Sequence, residues 1–238
     1  MTTRINCWSG PRNVSTALMY SFRQRGDTTV HDEPLYAHYL RVTGRDHPGR
    51  NEVLAAQDQD GDAVVRDVIL ADQPTDVAFF KQMAHHLTEI DDTFLGSCRN
   101  ILLTRDPRDM LPSLAVQLDD ARLSDTGLEV QVQLLDAIVA AGDLPIVIDS
   151  KVLLDDPGRV LGLVCDRLGI GMDPAMLSWP AGPKPEDGVW ARHWYDNVHR
   201  STGFLAYAAT TRRLPEHLRP VLDAAIPLYE RLSEYAVD

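Results

Sequence analysis

The junction between the first predicted strand and the first predicted helix constrains the fold more than any other feature. Residues Arg4–Trp8 have the apolar, compact pattern of a short buried strand. Val14, Leu18 and Phe22 then recur every four residues, which is typical of the buried face of a helix. The loop between them, 9–16, reads Ser-Gly-Pro-Arg-Asn-Val-Ser-Thr. Such a strand–loop–helix junction directs free backbone N–H groups and the positive end of the helix dipole at one point.

The side chains of this loop suit a bound phosphate. Arg12 offers a planar fork of charged donors, and Ser15 and Thr16 can add hydroxyl donors. The loop is not a Walker A motif, because the Gly-Lys-Ser/Thr ending is missing. The alternative is an ordinary strand-to-helix turn with a surface arginine.

Composition narrows the class of protein. The 238 residues are enough for one α/β domain with a large core or for two small domains. A net charge of −12 argues against a broad nucleic-acid-binding face but leaves room for a local basic pocket. Three distant cysteines, Cys7, Cys98 and Cys165, predict neither a disulfide framework nor a zinc motif. The chain shows no signal peptide and no apolar run near the roughly 18 residues of a membrane span, so we expect a cytoplasmic protein that does not contact a membrane.

Alternation of strand and helix patterns predicts a single α/β domain over residues 1–238. Its core is a parallel sheet of about five strands with helices on both faces. The predicted strands are short and apolar: Arg4–Trp8, Thr28–His31, Val77–Lys81, Asn100–Thr104 and Pro145–Ile148.

Three stretches lack this clear alternation. Residues 44–76 are polar and predict a solvated region. Residues 169–203 are rich in Gly, Pro and Trp, and a loop this long in a compact domain is typical of a segment that covers a site. Residues 214–236 have helical spacing, which we expect Pro220 and Pro227 to break.

A second anion-binding turn is predicted after the fourth strand, where Arg105-Asp106-Pro107-Arg108-Asp109 follows directly. Asp106 fits a helix N-cap and Pro107 fits the first helical position, while Ser113 lies eight residues after Arg105. In a parallel sheet both turns lie at the carboxyl edge, where ligands bind. The alternative is a capped, charged helix start without a ligand.

Together the two turns resemble the sulfotransferase family, which uses 3′-phosphoadenosine-5′-phosphosulfate (PAPS). Pro11–Thr16 resembles that family's 5′-phosphosulfate loop, although Val14 stands where the family usually has Gly. The pair Arg105 and Ser113 is similar to its 3′-phosphate motif. Asp187-Gly188-Val189-Trp190 resembles the family's C-terminal loop, with Lys184 as its basic member.

This resemblance implies a P-loop NTPase-like sulfotransferase fold, PAPS as cosubstrate and no metal. It also implies a small-molecule acceptor and no nucleic-acid partner. The implied cofactor-binding residues are Pro11, Arg12, Asn13, Val14, Ser15, Thr16, Arg105, Ser113, Lys184, Gly188 and Trp190.

The resemblance also implies the catalytic residues. Arg12 is expected to neutralise charge on the transferred group. Glu33, which follows the second strand and precedes Pro34-Leu35, is one candidate base, and its alternative role is to cap a helix beginning at Pro34. His85 or His86, after the third strand, is the other candidate, with a solvated helix surface as its alternative.

The predicted function is transfer of a sulfuryl group from PAPS to a hydroxyl or amine of a small acceptor. Aromatic residues in 169–203 are candidates for the acceptor pocket. Three alternatives stay open at this point. They are a P-loop-like nucleotide kinase or NTPase, a non-catalytic protein that binds the product nucleotide 3′-phosphoadenosine-5′-phosphate (PAP), and a metal-dependent hydrolase using the two histidines.

Overall fold

A computed structural model describes residues 2–238 and contains a five-stranded, fully parallel sheet. The strand order is β2-β3-β1-β4-β5, so the first strand lies at the centre. All five predicted strands are confirmed within two residues at either end. The strands are β1 (Thr3–Ser9), β2 (Thr28–Asp32), β3 (Val77–Met83), β4 (Arg99–Thr104) and β5 (Ile146–Asp149).

Helices fill the connections between the strands, as a parallel sheet requires. They are α1 (Ser15–Arg23), α2 (Tyr36–Thr43), α3 (Arg50–Ala56), α4 (Gly61–Val64), α5 (Pro107–Leu114), α6 (Leu123–Thr126), α7 (Leu128–Ala140), α8 (Ser150–Asp155), α9 (Pro157–Leu168), α10 (Ala191–Trp194), α11 (Asp196–His199) and α12 (Arg219–Ser233). A π-helical turn covers Val65–Ile69, and 3₁₀ turns cover Ala84–His86, Asp92–Ser97, Pro174–Leu177 and Glu216–Leu218.

Each face of the sheet carries its own hydrophobic core, because successive side chains of a strand point to opposite faces. On β1, Cys7 belongs to the core that packs against α1 and α9, whereas Trp8 belongs to the core that packs against α7 and α12. Both residues are fully buried. The predicted layering, helices on both faces of a parallel sheet, is therefore confirmed.

One local prediction is wrong. Pro220 and Pro227 do not break the last helix. Pro220 lies in the first turn of α12, where its missing N–H leaves no bond unmade. Pro227 lies inside α12, where the buried Leu222 packs against α5 and the buried Leu232 packs in the core of the sheet, and this packing outweighs the lost hydrogen bond. The polar stretch 44–76 contains α3, α4 and the π-helical turn, and most of its residues are partly or fully exposed.

Among the described residues, no helix is both long enough and apolar enough to cross a membrane.

Candidate active site

A cavity of about 500 Å³ lies at the carboxyl edge of the sheet. The loops after β1, β2, β3 and β4 all contribute to its wall. Most of the residues singled out in the sequence line this one cavity: Pro11, Arg12, Asn13, Val14, Ser15, Thr16, Glu33, His85, His86, Arg105, Ser113 and Trp190.

The two predicted anion-binding turns meet through Arg12. Its Nε donates a hydrogen bond of 3.0 Å to Ser113 Oγ. Arg105 Nη1 donates a hydrogen bond of 2.6 Å to the carbonyl oxygen of Arg12. Because these bonds join residues about a hundred positions apart in the chain, the loop after β1 and the turn after β4 form one site.

Arg12 also carries the backbone bend of the loop. Its φ angle is +54°, in the left-handed region that favours glycine. Val14, at the position where the resembling family has Gly, has an ordinary φ of −92° and is the N-cap of α1. The loop therefore curls at the arginine itself, and such backbone conformations cost about 1–3 kcal/mol and cluster at functional sites.

Neighbouring polar groups hold the loop in this shape. Asn13 donates a 3.0 Å hydrogen bond to the carbonyl oxygen of Leu103 at the end of β4 and accepts a 2.8 Å bond from the N–H of Val14. Gln131 on α7 braces the same strand ends, because its amide donates to the carbonyl oxygens of Trp8 and Leu103. Hydrogen bonds within the protein itself therefore hold the loop after β1.

A third arginine, Arg212, lines the cavity together with Arg12 and Arg105. Burial lowers the pKa of Arg12, and the positive charges of Arg105 and Arg212 lower it further. In residues 2–238, none of these three guanidinium groups forms an ion pair with a carboxylate at 4.0 Å or less. Like charges gathered without a counterion are stabilised by an anion. The charges of this part of the cavity therefore suit an anion, and anion binding here stays a prediction.

Arg212 comes from residues 204–215, which have no regular secondary structure and form one wall of the cavity. Asp109 on α5 holds this segment, because its carboxylate accepts a 2.5 Å hydrogen bond from Tyr207 Oη and a 3.0 Å bond from the N–H of Thr210. Sequence reasoning missed Arg212. The segment has neither periodicity nor a motif, so nothing local marks it as part of the site.

The opposite end of the cavity contains a buried ionic cluster. Lys81, on β3, is fully buried and donates hydrogen bonds to Asp32 at 2.9 Å, to Tyr195 Oη at 2.6 Å and to Glu33 Oε1. Glu33 has a φ of +43°, the second left-handed residue that faces the cavity. Helix α2 begins at Tyr36 with no side-chain cap, so Glu33 is not a helix cap.

Burial dominates the chemistry of this cluster. Loss of water raises the pKa of Glu33, the charge of Lys81 opposes the rise, and the charge of Asp32 adds to it. Burial alone would lower the pKa of Lys81, but the two carboxylates outweigh it and raise that pKa. The cluster thus contains one cation and two carboxylates, and burial raises the pKa of Glu33 from its ordinary value.

The two histidines after β3 are buried and do not form a solvated helix surface. The His86 ring lies between two tyrosine rings, with centroids 4.8 Å from Tyr36 and 4.7 Å from Tyr39. Burial lowers the pKa of His85 to about 3 and lowers that of His86 well below its usual value. Both rings are therefore neutral and packed at neutral pH.

Aromatic side chains surround the space beside Glu33. Tyr36 lines it, with its hydroxyl 2.9 Å from Nδ1 of His47, and the indole of Trp190 meets the Tyr36 ring edge-on. Burial lowers the pKa of His47 to about 4, so this ring is also neutral. Trp194 completes the aromatic wall.

Two predicted cofactor-binding residues lie outside the cavity wall. Lys184 Nζ donates to the carbonyl oxygens of Pro180 and Gly182. The N–H of Gly188 donates to Asp32 at 3.1 Å, and a Cβ on Gly188 would lie 2.2 Å from the Trp190 ring. The structure thus gives both residues a packing environment in the 184–190 stretch, and a role for them in binding stays a prediction.

In residues 2–238, no group of three or more His, Cys, Asp or Glu side chains is placed to hold a metal ion.

A parallel sheet covered on both faces, with a cavity at the carboxyl edge of its strands, has the ligand-binding arrangement of open α/β proteins. The family model described as "Sulfotransferase domain" matches residues 3–236, and the chain belongs to this family.

Solved structures show the same fold. The sulfotransferase domain from the curacin biosynthetic pathway superimposes with a TM-score of 0.54 at 15% identity, over 94% of this chain and 97% of that domain. A sulfotransferase from Alicyclobacillus acidocaldarius gives a TM-score of 0.56 at 13% identity, over 98% and 96% of the two chains. At these identities the likeness establishes the fold alone.

A curated relative is much closer in sequence. Branched-chain-amino-acid aminotransferase-like protein 1 of Arabidopsis thaliana is 39% identical over 232 residues, which is 97% of this chain and 42% of the plant protein. The chain spans about two fifths of the length of the curated relatives it matches. Since the plant name describes a much longer protein, it assigns no activity to this chain.

Proposed function

We propose that the enzyme transfers the sulfuryl group of PAPS to a hydroxyl or amine of a small acceptor. The observation that carries this proposal is the junction of the two anion-binding turns, in which Arg12 contacts Ser113 while Arg105 contacts Arg12. A nucleotide with phosphates at both its 5′ and 3′ positions needs two such sites close together, and ATP does not.

At the donor end of the cavity, different groups contact different parts of PAPS. PAPS supplies the sulfuryl group, and its leaving group is a phosphate that gains charge during transfer. The N-terminus of α1, with Ser15 and Thr16, faces the 5′-phosphate, and Arg105 and Ser113 face the 3′-phosphate. Arg12, between the two turns, stabilises the charge that develops on the leaving oxygen.

Glu33 is the base in this proposal. A general base works best when its pKa lies near the operating pH, and burial raises the pKa of Glu33 in that direction. His85, with a pKa of about 3, is a poor proton acceptor at neutral pH. Proton uptake by Glu33 also takes the buried cluster from two negative charges against one positive to a balanced pair, which the low-dielectric surroundings favour.

The acceptor lies between Glu33 and the aromatic wall. Tyr36, His47 and Trp190 are all uncharged there, because burial keeps the imidazole neutral and the phenol protonated. A small acceptor with an apolar or aromatic body fits this wall, with its hydroxyl or amine directed at Glu33.

Calorimetric titration with PAP, adenosine 5′-phosphate and ATP in the absence of metal tests the donor assignment. We expect PAP to bind at least about tenfold more tightly than adenosine 5′-phosphate, a difference of about 1.4 kcal/mol. Binding of ATP as tight as that of PAP would contradict the assignment and favour a nucleotide kinase.

Glu33→Gln tests the base with a panel of small phenols, alcohols and amines. We expect transfer to fall by at least about 10²-fold while PAP affinity stays within twofold of wild type, since a base acts only in the chemical step. His85→Asn and His86→Asn are the matched comparison, and a larger loss of transfer in either one would move the base to that histidine.

A further inference from the structure

Tyr195 lies at the centre of the buried cluster, although it comes from a different part of the chain. It sits between α10 and α11, more than a hundred residues after Lys81. Its Oη accepts hydrogen bonds from Lys81 Nζ at 2.6 Å and from Trp190 Nε1 at 3.1 Å, and it donates to Asp32 at 2.8 Å. A phenol hydroxyl has one donor and two acceptor positions, so every position is used.

The partners of Tyr195 are saturated in the same way. The ammonium group of Lys81 has three donors, and its three acceptors are Asp32, Glu33 and Tyr195. Asp32 accepts from Lys81, from Tyr195 and from the N–H of Gly188. In such a network the loss of one partner shifts the remaining bonds, because the buried groups that it leaves behind need new partners.

We propose that Tyr195 is a positioning residue for Glu33, and that it acts by dividing the Lys81 ammonium between Asp32 and Glu33. The inference rests on the proposed role of Glu33 as the base. The Tyr195 hydroxyl donates a hydrogen bond to Asp32 and accepts one from Lys81. The two other N–H groups of Lys81 therefore contact one carboxylate each. The segment that carries Trp190 and Tyr195, and that also walls the acceptor space, thereby sets the proton affinity of Glu33.

This arrangement predicts two opposite effects. Without the Tyr195 hydroxyl, Asp32 loses a donor and draws Lys81 toward itself, so Glu33 loses part of its cation and its pKa rises. Without the charge of Asp32, Lys81 serves Glu33 alone, and the pKa of Glu33 falls. A tyrosine that only packs the site would leave the Glu33 pKa unchanged on loss of its hydroxyl, because Tyr195→Phe keeps the ring.

Other titratable groups facing the cluster do not produce these shifts. Tyr36 on α2 and Tyr20 on α1 stay protonated, because burial raises their pKa values. His86 beside β3 stays neutral, because burial lowers its pKa. Asp187 is bound by the Tyr20 hydroxyl and by His199 and has no hydrogen bond to Lys81.

The test is carbon-13 NMR titration of full-length protein labelled at the glutamate side-chain carboxyl carbon, which needs neither PAPS nor an acceptor. The signal missing from Glu33→Gln identifies Glu33. We expect Tyr195→Phe to raise the Glu33 pKa by about one unit or more and Asp32→Asn to lower it by a similar amount. Tyr207→Phe, the same change at a tyrosine bound to Asp109 outside the cluster, should leave it unchanged.

Unchanged Glu33 titration in both cluster variants, or shifts of the same sign, would overturn the proposal. Thermal unfolding of each variant shows whether it is folded. If Tyr195→Phe does not fold, Asp32→Asn can still refute the proposal, because a rise or no change in the Glu33 pKa there contradicts the division of Lys81. Retained sulfuryl transfer by Glu33→Gln would instead refute the base assignment and leave the measured pKa shifts as a separate result.

Discussion

Replacing Arg105 with alanine separates the 3′-phosphate site from the rest of the donor site. One guanidinium nitrogen of Arg105 holds the carbonyl oxygen of Arg12 at 2.6 Å, and the group has further donors that face the cavity. The substitution therefore removes a direct contact to a 3′-phosphate and also loosens the loop after β1.

The two losses change the Kd values of PAP and adenosine 5′-phosphate differently. A hydrogen bond to a charged group contributes about 1.5–3 kcal/mol, which corresponds to about a 10- to 150-fold weaker Kd for PAP. Loosening of Arg12 affects every nucleotide that carries a 5′-phosphate, so it weakens PAP and adenosine 5′-phosphate equally. The ratio of the two Kd values therefore isolates the 3′-phosphate contact, and we expect this ratio to fall to near one in Arg105→Ala.

Calorimetric titration of both nucleotides into wild type, Arg105→Ala and Arg108→Ala measures the ratio. Arg108 is the matched control, because it lies three residues later, is half-exposed and pairs with Asp106 at 3.1 Å. Arg105→Lys should lie between wild type and alanine, since lysine keeps the charge and loses the planar fork. An unchanged preference for PAP in Arg105→Ala would refute the assignment of this turn to the 3′-phosphate.

Three further results are expected. Arg212→Ala should weaken PAP binding by at least about tenfold, whereas Arg213→Ala, the neighbouring arginine outside the cavity wall, should not; equal Kd values in the two variants would remove Arg212 from the anion site. Gly10→Ala should lower the unfolding temperature, because the new Cβ would lie 2.5 Å from the carbonyl oxygen of Thr126, and an unchanged melting curve contradicts this contact. The free energy of unfolding should decrease as pH falls from about 6.5 toward 4, because His85, with a folded pKa of about 3, takes up its proton first in the unfolded chain. Urea unfolding at pH 7 and pH 5 should show a smaller decrease in the free energy of unfolding for His85→Asn than for wild type. An equal decrease in both proteins would contradict the neutral, buried state of this ring.

The elements that local patterns specify could be predicted from the sequence. The β4–α5 turn follows its predicted chemistry, with Asp106 accepting from the N–H of Arg108 and Pro107 in the first helical turn. Arg12, Arg105 and Ser113 came together because parallel strands end at one edge, a rule of topology that needs no contact information.

The features that could not be predicted depend on distant parts of the chain. Lys81 is bound by Tyr195, which lies more than a hundred residues away in a stretch without periodicity. The position of Arg212 follows from the grip of Asp109 on Tyr207, a pair 98 residues apart. The left-handed backbone of Arg12 is held by the hydrogen bond from Arg105 to its carbonyl oxygen and by the bond from Asn13 to Leu103. The loop sequence does not show these contacts, so by itself it suggests that only a glycine could take a positive φ here.

The order of the strands has a consequence for how this enzyme can change. Glu33 follows β2 and Arg105 follows β4, and these strands are separated by β3 and β1, so three inter-strand spacings, about 14 Å, lie between the two ends of the cavity. The sheet therefore keeps a fixed distance between the proposed acceptor end, on β2 and β3, and the proposed nucleotide end, on β1 and β4. With the proposed function, substitutions around Tyr36 and His47 can therefore alter which molecule is modified while the five residues Arg12–Thr16 stay as they are.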